Sequence, residues 1–167
     1  PHNINIYAYG EKKKHAVIML HAFSHNGLFF EEIAQNLSSQ GHFVICPDMP
    51  GRGKSDYLTN AKNYNYWQYV DDLFLIINFL GIDSVSLFGS SMGGIISILF
   101  AEKFPNKINK IILNDIGLIV PASESNRVGE YVGIECSQPT KEAMHTRIKE
   151  ELSQCNLNPE DAEKIFH

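Results

Sequence analysis

Short apolar runs divide the first two thirds of the chain. Residues 4–9 (INIYAY) alternate apolar and polar positions as a strand does. Residues 16–20 (AVIML), 43–46, 84–88 (SVSLF) and 110–113 (KIIL) are short, β-branched and mostly unalternating. That is the pattern expected of strands covered on both faces. Between them apolar residues recur at helical spacing. Residues 28–40 place Phe29, Ile33 and Leu37 on one face, with Gly41 as the stop. Residues 64–80 place Val70, Leu73, Phe74, Ile77 and Leu80 together before Gly81, and residues 92–104 carry Ile95, Ile96, Leu99, Phe100 and Phe104 before Pro105. Glycine after the last periodic residue and proline just beyond it both end helices.

Strand and helix thus alternate to about residue 114. Parallel neighbours need long crossovers, so the expected fold class is α/β, a mostly parallel sheet flanked by helices. Past Pro121 the chain turns polar and charged, without another strand-like run. Residues 142–155 read as one helix, and Asn158-Pro159-Glu160 opens another. Two parts are expected: a core over 1–120 and a helical insertion over 121–167.

Length and composition narrow the partners. A chain of 167 residues is one domain or a piece of a larger one, and its 44% hydrophobic and 20% charged residues fit a globular class. Fourteen basic against nineteen acidic side chains leave a net charge of −5, which argues against binding a nucleic-acid backbone. The longest apolar stretch, 73–82, is broken by Asn78 and Gly81 and falls short of the about 20 residues that span a bilayer. The opening Pro-His-Asn-Ile-Asn-Ile lacks the pattern of a secretory leader. Cys46, Cys136 and Cys155 are odd in number, far apart and without a CxxC pair, so they read as reduced thiols of a cytoplasmic protein.

The chemistry concentrates in Gly89-Ser90-Ser91-Met92-Gly93, a G-x-S-x-G between a predicted strand and a predicted helix. A serine at the tip of so sharp a bend has strained backbone angles, and small residues on either side are required for steric reasons. Gly89 and Gly93 meet that need. The bend lifts the Ser91 hydroxyl above the strand ends and aims the Met92 N–H, at a helix N-terminus, toward charge developing on a carbonyl oxygen. Ser90 is out of register, since Phe88 would then have to be the leading glycine. His21-Ala22-Phe23 follows the AVIML strand, and Asp48-Met49-Pro50-Gly51-Arg52-Gly53-Lys54-Ser55-Asp56 follows the next.

With these segments the sequence resembles the α/β-hydrolase superfamily, especially small esterases and C–C bond hydrolases with a helical lid. HAF, DMPGRGKSD, GSSMGG and LNDIG stand in the family's order, each after its strand, and the resemblance covers essentially the whole chain. It implies Ser91 as nucleophile and the backbone N–H groups of Phe23 and Met92 as the oxyanion hole. It implies a structural loop over DMPGRGKSD and a partial helical lid over 121–167; no cofactor or metal is expected. Ala22 stands where the family usually has glycine, which would tighten the oxyanion-hole turn.

The family order continues from the serine to an acid and then a histidine on loops after later strands. Only His145 and His167 lie downstream of Ser91, neither after a strand, and both read better as lid or surface residues. Asp115 and His145 are the weaker candidates for acid and base, with Asp115 more at home tying down its loop. The expectation is a C-terminally truncated hydrolase whose last core strands are missing. It would act on a small ester-like substrate through a Ser91 acyl-enzyme, or else persist as a catalytically silent remnant or binding module. An unpaired edge at strand 110–114 would favour self-association or a complementary C-terminal fragment.

Rival motifs fail on residue chemistry. Gly53-Lys54-Ser55 lacks the upstream glycine of a phosphate loop, where Asp48 stands, and Gly51-x-Gly53 is followed by Asp56 where a dinucleotide fingerprint has glycine. His21 and His25 sit on a predicted loop with no acid between them, unlike a zinc-binding helix; His25 and Asn26 are expected at a pocket mouth or bonding the loop backbone. Tyr57, Tyr64, Tyr66, Trp67 and Tyr69 read as helix-packing and pocket-rim residues, and Lys12-Lys13-Lys14 as a hairpin tip.

Overall fold

The computed structural model describes residues 2–117 together with 140, 142, 143 and 146. Its elements alternate as β1 (Ile6–Tyr9), β2 (His15–Leu20), α1 (Glu31–Ser39), β3 (Val44–Pro47), α2 (Tyr66–Phe79), β4 (Ser84–Ser90), α3 (Met92–Lys103) and β5 (Ile108–Asn114). The strands form one sheet in the order β1-β3-β2-β4-β5. β3, β2, β4 and β5 run parallel, and β1 pairs antiparallel with β3. The chain divides into two units, Pro1–Val120 and Pro121–His167, and the whole of this sheet belongs to the first. None of the described helices is long and apolar enough to cross a membrane.

Side-chain alternation along β2 sorts the core into two layers. Ala16, Ile18 and Leu20 face α2 and α3, packing with Val70, Leu73, Ile77, Ile96 and Phe100. Met19 faces the other way, against Phe30, Ala34, Val44 and Cys46 beside α1. β3 is buried along its whole length, as its continuous apolar run requires. The Asn65 side chain accepts the Gln68 N–H at 3.0 Å and so starts α2 at Tyr66, two residues later than periodicity alone suggests. Gly41 and Gly81, both at left-handed φ, close α1 and α2.

Three expectations are corrected. Phe29 and Ile33 do not face the core: they are 56% and 49% exposed, and Phe30 and Ala34 are buried instead. The first turn, Gly27–Phe30, is a 3₁₀ helix, and its tighter winding rotates the face that follows. The lysines 12–14 do not cap a hairpin, because β1 pairs with β3 and is not a neighbour of β2. β5 is not covered on both faces. It is the sheet edge among the described residues, and Ile112 is 57% exposed.

The segment between β3 and α2 is shaped by one buried carboxylate. Asp48 accepts the Gly27 N–H at 2.7 Å on Oδ1, and the Asn5 amide and the Lys54 N–H, both at 2.9 Å, on Oδ2. Ser55 Oγ donates to the Asp48 carbonyl at 2.6 Å and accepts the Asn5 N–H at 2.9 Å. Asp56 Oδ2 then holds the Asn3 N–H at 2.8 Å. The DMPGRGKSD loop is therefore stitched to the segment leading into β1 and to the 3₁₀ turn that precedes α1.

An acceptor this heavily used is structural, and removing it strands a buried N–H at Gly27. Asp48→Ala is expected to lower stability by about 3 kcal/mol or more, measured by urea unfolding. A loss within error of zero would show that the loop is held by something else.

Candidate active site

Ser91 occupies the bend between β4 and α3 at φ 47° and ψ −110°, a region that non-glycine residues avoid. The turn is held from both sides. The Ser91 N–H donates to the Asn114 carbonyl at 3.0 Å, and the Ser91 carbonyl accepts from Gly94 at 2.9 Å and Ile95 at 3.2 Å. Serine commonly caps a helix with its own hydroxyl, yet here the Ser91 side chain makes no cap bond to α3. Ser90 is buried within the strand, and its Oγ accepts the Asn114 side-chain amide at 3.2 Å.

Sterics explain the glycines. A Cβ on Gly93 would meet the Leu20 carbonyl oxygen at 2.0 Å, and one on Gly89 would meet the Gly93 carbonyl oxygen at 2.4 Å. No side chain fits in either place. Gly94, not singled out from the sequence, is restricted too, since a Cβ there would lie 2.5 Å from Ile116 Cγ2. These contacts press the start of α3 against the end of β2, from which His21-Ala22-Phe23 departs.

His21 fixes that departure. It is fully buried, its Nδ1 lies 2.8 Å from the Ala22 carbonyl, and the Met49 N–H donates to its Nε2 at 2.9 Å. An Nε2 that accepts carries no proton, so Nδ1–H is the donor and the ring is neutral. Burial lowers its pKa, the Ala22 bond works against that, and the Arg52 charge lowers it further. His21 is thus committed on both nitrogens, which removes it as a base and as a metal ligand. No described group of three or more His, Cys, Asp or Glu could hold a metal. Ala22 needs no left-handed backbone: among the described non-glycine residues only Ser91 and Asp115 have positive φ. Asn26 bonds the loop, accepting the Leu28 N–H at 3.0 Å, and His25 meets the edge of Phe29 at 4.4 Å between ring centroids.

A cavity of about 550 Å³ opens beside these segments. Phe23 and Met92, from the two expected oxyanion segments, line it together with Arg52, Tyr64, Tyr66 and Tyr69. Four of the five aromatics read as rim residues reach it, Tyr57 being the fourth; Trp67 does not. Ser91 itself is half-buried next to Met92 and is not part of the cavity wall.

The remaining candidates are dispersed. Asp115 is exposed at φ 54°, one residue past the Asn114 carbonyl that holds Ser91. His145 and His167 lie outside the described residues, as do Cys136 and Cys155. Cys46 is buried, which pushes its thiol up to about 12 and leaves it inert. Arg52 is the residue that sequence reasoning missed. Nothing in a Gly-Arg-Gly loop announces that its guanidinium reaches the cavity.

The comparisons with known proteins agree on the fold. The family described as alpha/beta hydrolase fold matches residues 15–131. A 3-hydroxybutyrate-oligomer hydrolase from Cupriavidus necator is 33% identical over 134 residues, covering 80% of this chain and 45% of that protein. The crystal structure of a Rickettsia typhi protein provisionally assigned as a hydrolase superposes with a TM-score of 0.82 at 30% identity, over 96% of this chain and 57% of that one. An esterase from Exiguobacterium antarcticum gives 0.62 at 30% identity, over 67% of this chain and 41% of its own. The chain spans about half the length of these relatives.

Two outcomes are expected from this geometry. Gly93→Ala should destabilise the chain by at least about 2 kcal/mol in urea unfolding, because the Leu20 carbonyl cannot retreat. For His21, the unfolded chain takes up a proton near pH 6.5, whereas the folded chain resists it. Between that pH and the lowered folded value, acidification therefore favours unfolding. Stability should fall as the pH drops through about 6.5 toward the lowered folded value, and thermal melts of His21→Gln should show a shallower fall over the same range. Identical pH slopes would contradict the neutral, doubly bonded ring.

Proposed function

The chain belongs to the alpha/beta hydrolase fold family, and within it we propose that Ser91 is the nucleophile of a serine hydrolase acting on a carboxylic ester or similar carbonyl. The observation that carries this reading is the bend itself. A serine is held at φ 47° between β4 and α3, its hydroxyl uncommitted to the helix, beside a residue that shares a cavity with Phe23. Ser91 Oγ attacks the carbonyl carbon. The charge that develops on the carbonyl oxygen is received by the Phe23 and Met92 N–H groups, the latter at the positive end of α3. Collapse expels the alcohol and leaves an acyl-enzyme, which water then cleaves. The esterase among the similar structures supports ester as the bond.

This chemistry needs a base, since a serine hydroxyl stays protonated near pH 7. We assign base and acid to residues outside the described ones, because His21 is occupied and no described imidazole bonds to Ser91 Oγ. That same observation favours a second reading, a chain that keeps the fold without turnover.

One experiment separates the two. The protein is treated with a serine-directed fluorophosphonate and its intact mass is measured. One phosphonyl adduct per chain is expected, absent from Ser91→Ala. An unmodified wild type would favour the silent module, and an adduct surviving in Ser91→Ala would place the nucleophile elsewhere.

A further inference from the structure

The hydrolytic chemistry leaves one group in the cavity unexplained. The Arg52 guanidinium is fastened on one side: Nε donates to the Phe23 carbonyl at 3.2 Å, and Nη1 donates to the Pro50 carbonyl at 2.8 Å and to the Tyr69 hydroxyl at 2.9 Å. The Phe23 ring lies 4.5 Å from Cζ, and the Tyr69 ring 5.7 Å. Among the described residues Nη2 meets only the Met92 sulfur, at 3.8 Å. A thioether is a weak acceptor, so the Nη2 donors are largely unused. Ion pairs among the described residues involve His2, Lys14 and Lys103, and none involves Arg52. A cation that stays charged at every working pH thus stands half-buried among aromatic rings with no counter-ion among the described residues.

Such a charge is costly to desolvate and gains most from an anion that accepts from its free edge. Two hydroxyl groups belong to residues lining the same cavity. The Tyr64 hydroxyl accepts the Leu58 N–H at 2.8 Å and the Tyr69 hydroxyl accepts from Arg52, so each keeps its own O–H to give. Both line the cavity with Arg52. A planar acceptor with two oxygens fits this set. Met92 then sets the scale, because its sulfur touches Nη2 while its backbone N–H is assigned to the oxyanion.

We propose that Arg52, with the Tyr64 and Tyr69 hydroxyls, binds a carboxylate on the substrate, so that the substrate is an ester bearing a free carboxylate a methionine side chain's length from the carbonyl attacked. This rests on the reading of Ser91 and Met92 given above. Arg52 is thereby a specificity-determining residue: it selects the acid form of the substrate and takes no part in bond breaking.

The test is a matched pair of product-like probes, hexanoate and hexanamide, titrated calorimetrically into the protein. Hexanoate is expected to bind at least about tenfold more tightly, the range of a hydrogen bond to a charged group. Arg52→Gln should bring the ratio near one, and Tyr64→Phe, which also gives up the bond from the Leu58 N–H, should lower it several-fold in a chain whose fold is checked by circular dichroism. Because Arg52 also holds Phe23 and Pro50, Arg52→Gln is checked in the same way. If it does not fold, the wild-type ratio and Tyr64→Phe decide. Equal affinities in the wild type, no binding of either probe, or a preference that survives in a folded Arg52→Gln would overturn the proposal. Ser91→Ala separates it from the nucleophile assignment, since that variant should lose phosphonylation and keep the carboxylate preference. Phosphonylation without any preference sinks the carboxylate site alone.

Discussion

The contact on which the site depends is the one between Gly93 and the Leu20 carbonyl. A hydrogen atom in place of a side chain lets α3 start directly against the end of β2. Two consequences arise from that one close approach. Ser91 is forced into a backbone conformation costing of order 1–3 kcal/mol, which the bonds to Asn114, Gly94 and Ile95 offset. The segment leaving β2 is also brought beside the segment entering α3, so Phe23 and Met92 come to share one cavity although they are far apart in sequence.

Around this contact the polar interior is organised by two buried side chains with opposite habits. Asp48 only accepts, gathering N–H groups from three segments into one knot. His21 does both, donating on one nitrogen and accepting on the other, which requires a neutral ring. Each fixes a loop that carries a cavity residue, Asp48 the one bearing Arg52 and His21 the one bearing Phe23. The cavity is shaped by these supports as much as by the residues that line it.

Much of this was legible in the chain. Continuous apolar runs gave the strands and their parallel sense, and the strand–serine–helix sequence gave the bend, because steric exclusion leaves glycine as the only choice at positions 89 and 93. The face of α1 was not legible, since one 3₁₀ turn at Gly27–Phe30 displaces a periodicity counted at 3.6 residues. The pairing of β1 was not legible either. It is decided by Asn3 and Asn5 meeting Asp56, Ser55 and Asp48, contacts that no local pattern records. Arg52 escaped for a similar reason: its neighbours Phe23, Pro50, Tyr69 and Met92 converge only in three dimensions.

The stitching of the N-terminus also bears on the order in which the molecule assembles. The bonds from Asn3, Asn5 and their partners span 53, 50 and 43 residues. Closing so large a loop surrenders chain entropy before any contact repays it, so these bonds belong to the late stages of folding. The segment that carries the guanidinium therefore stays pliable until its far end is captured. On the ribosome the capturing residues emerge first, so Asn3 and Asn5 are already waiting when Asp56 appears.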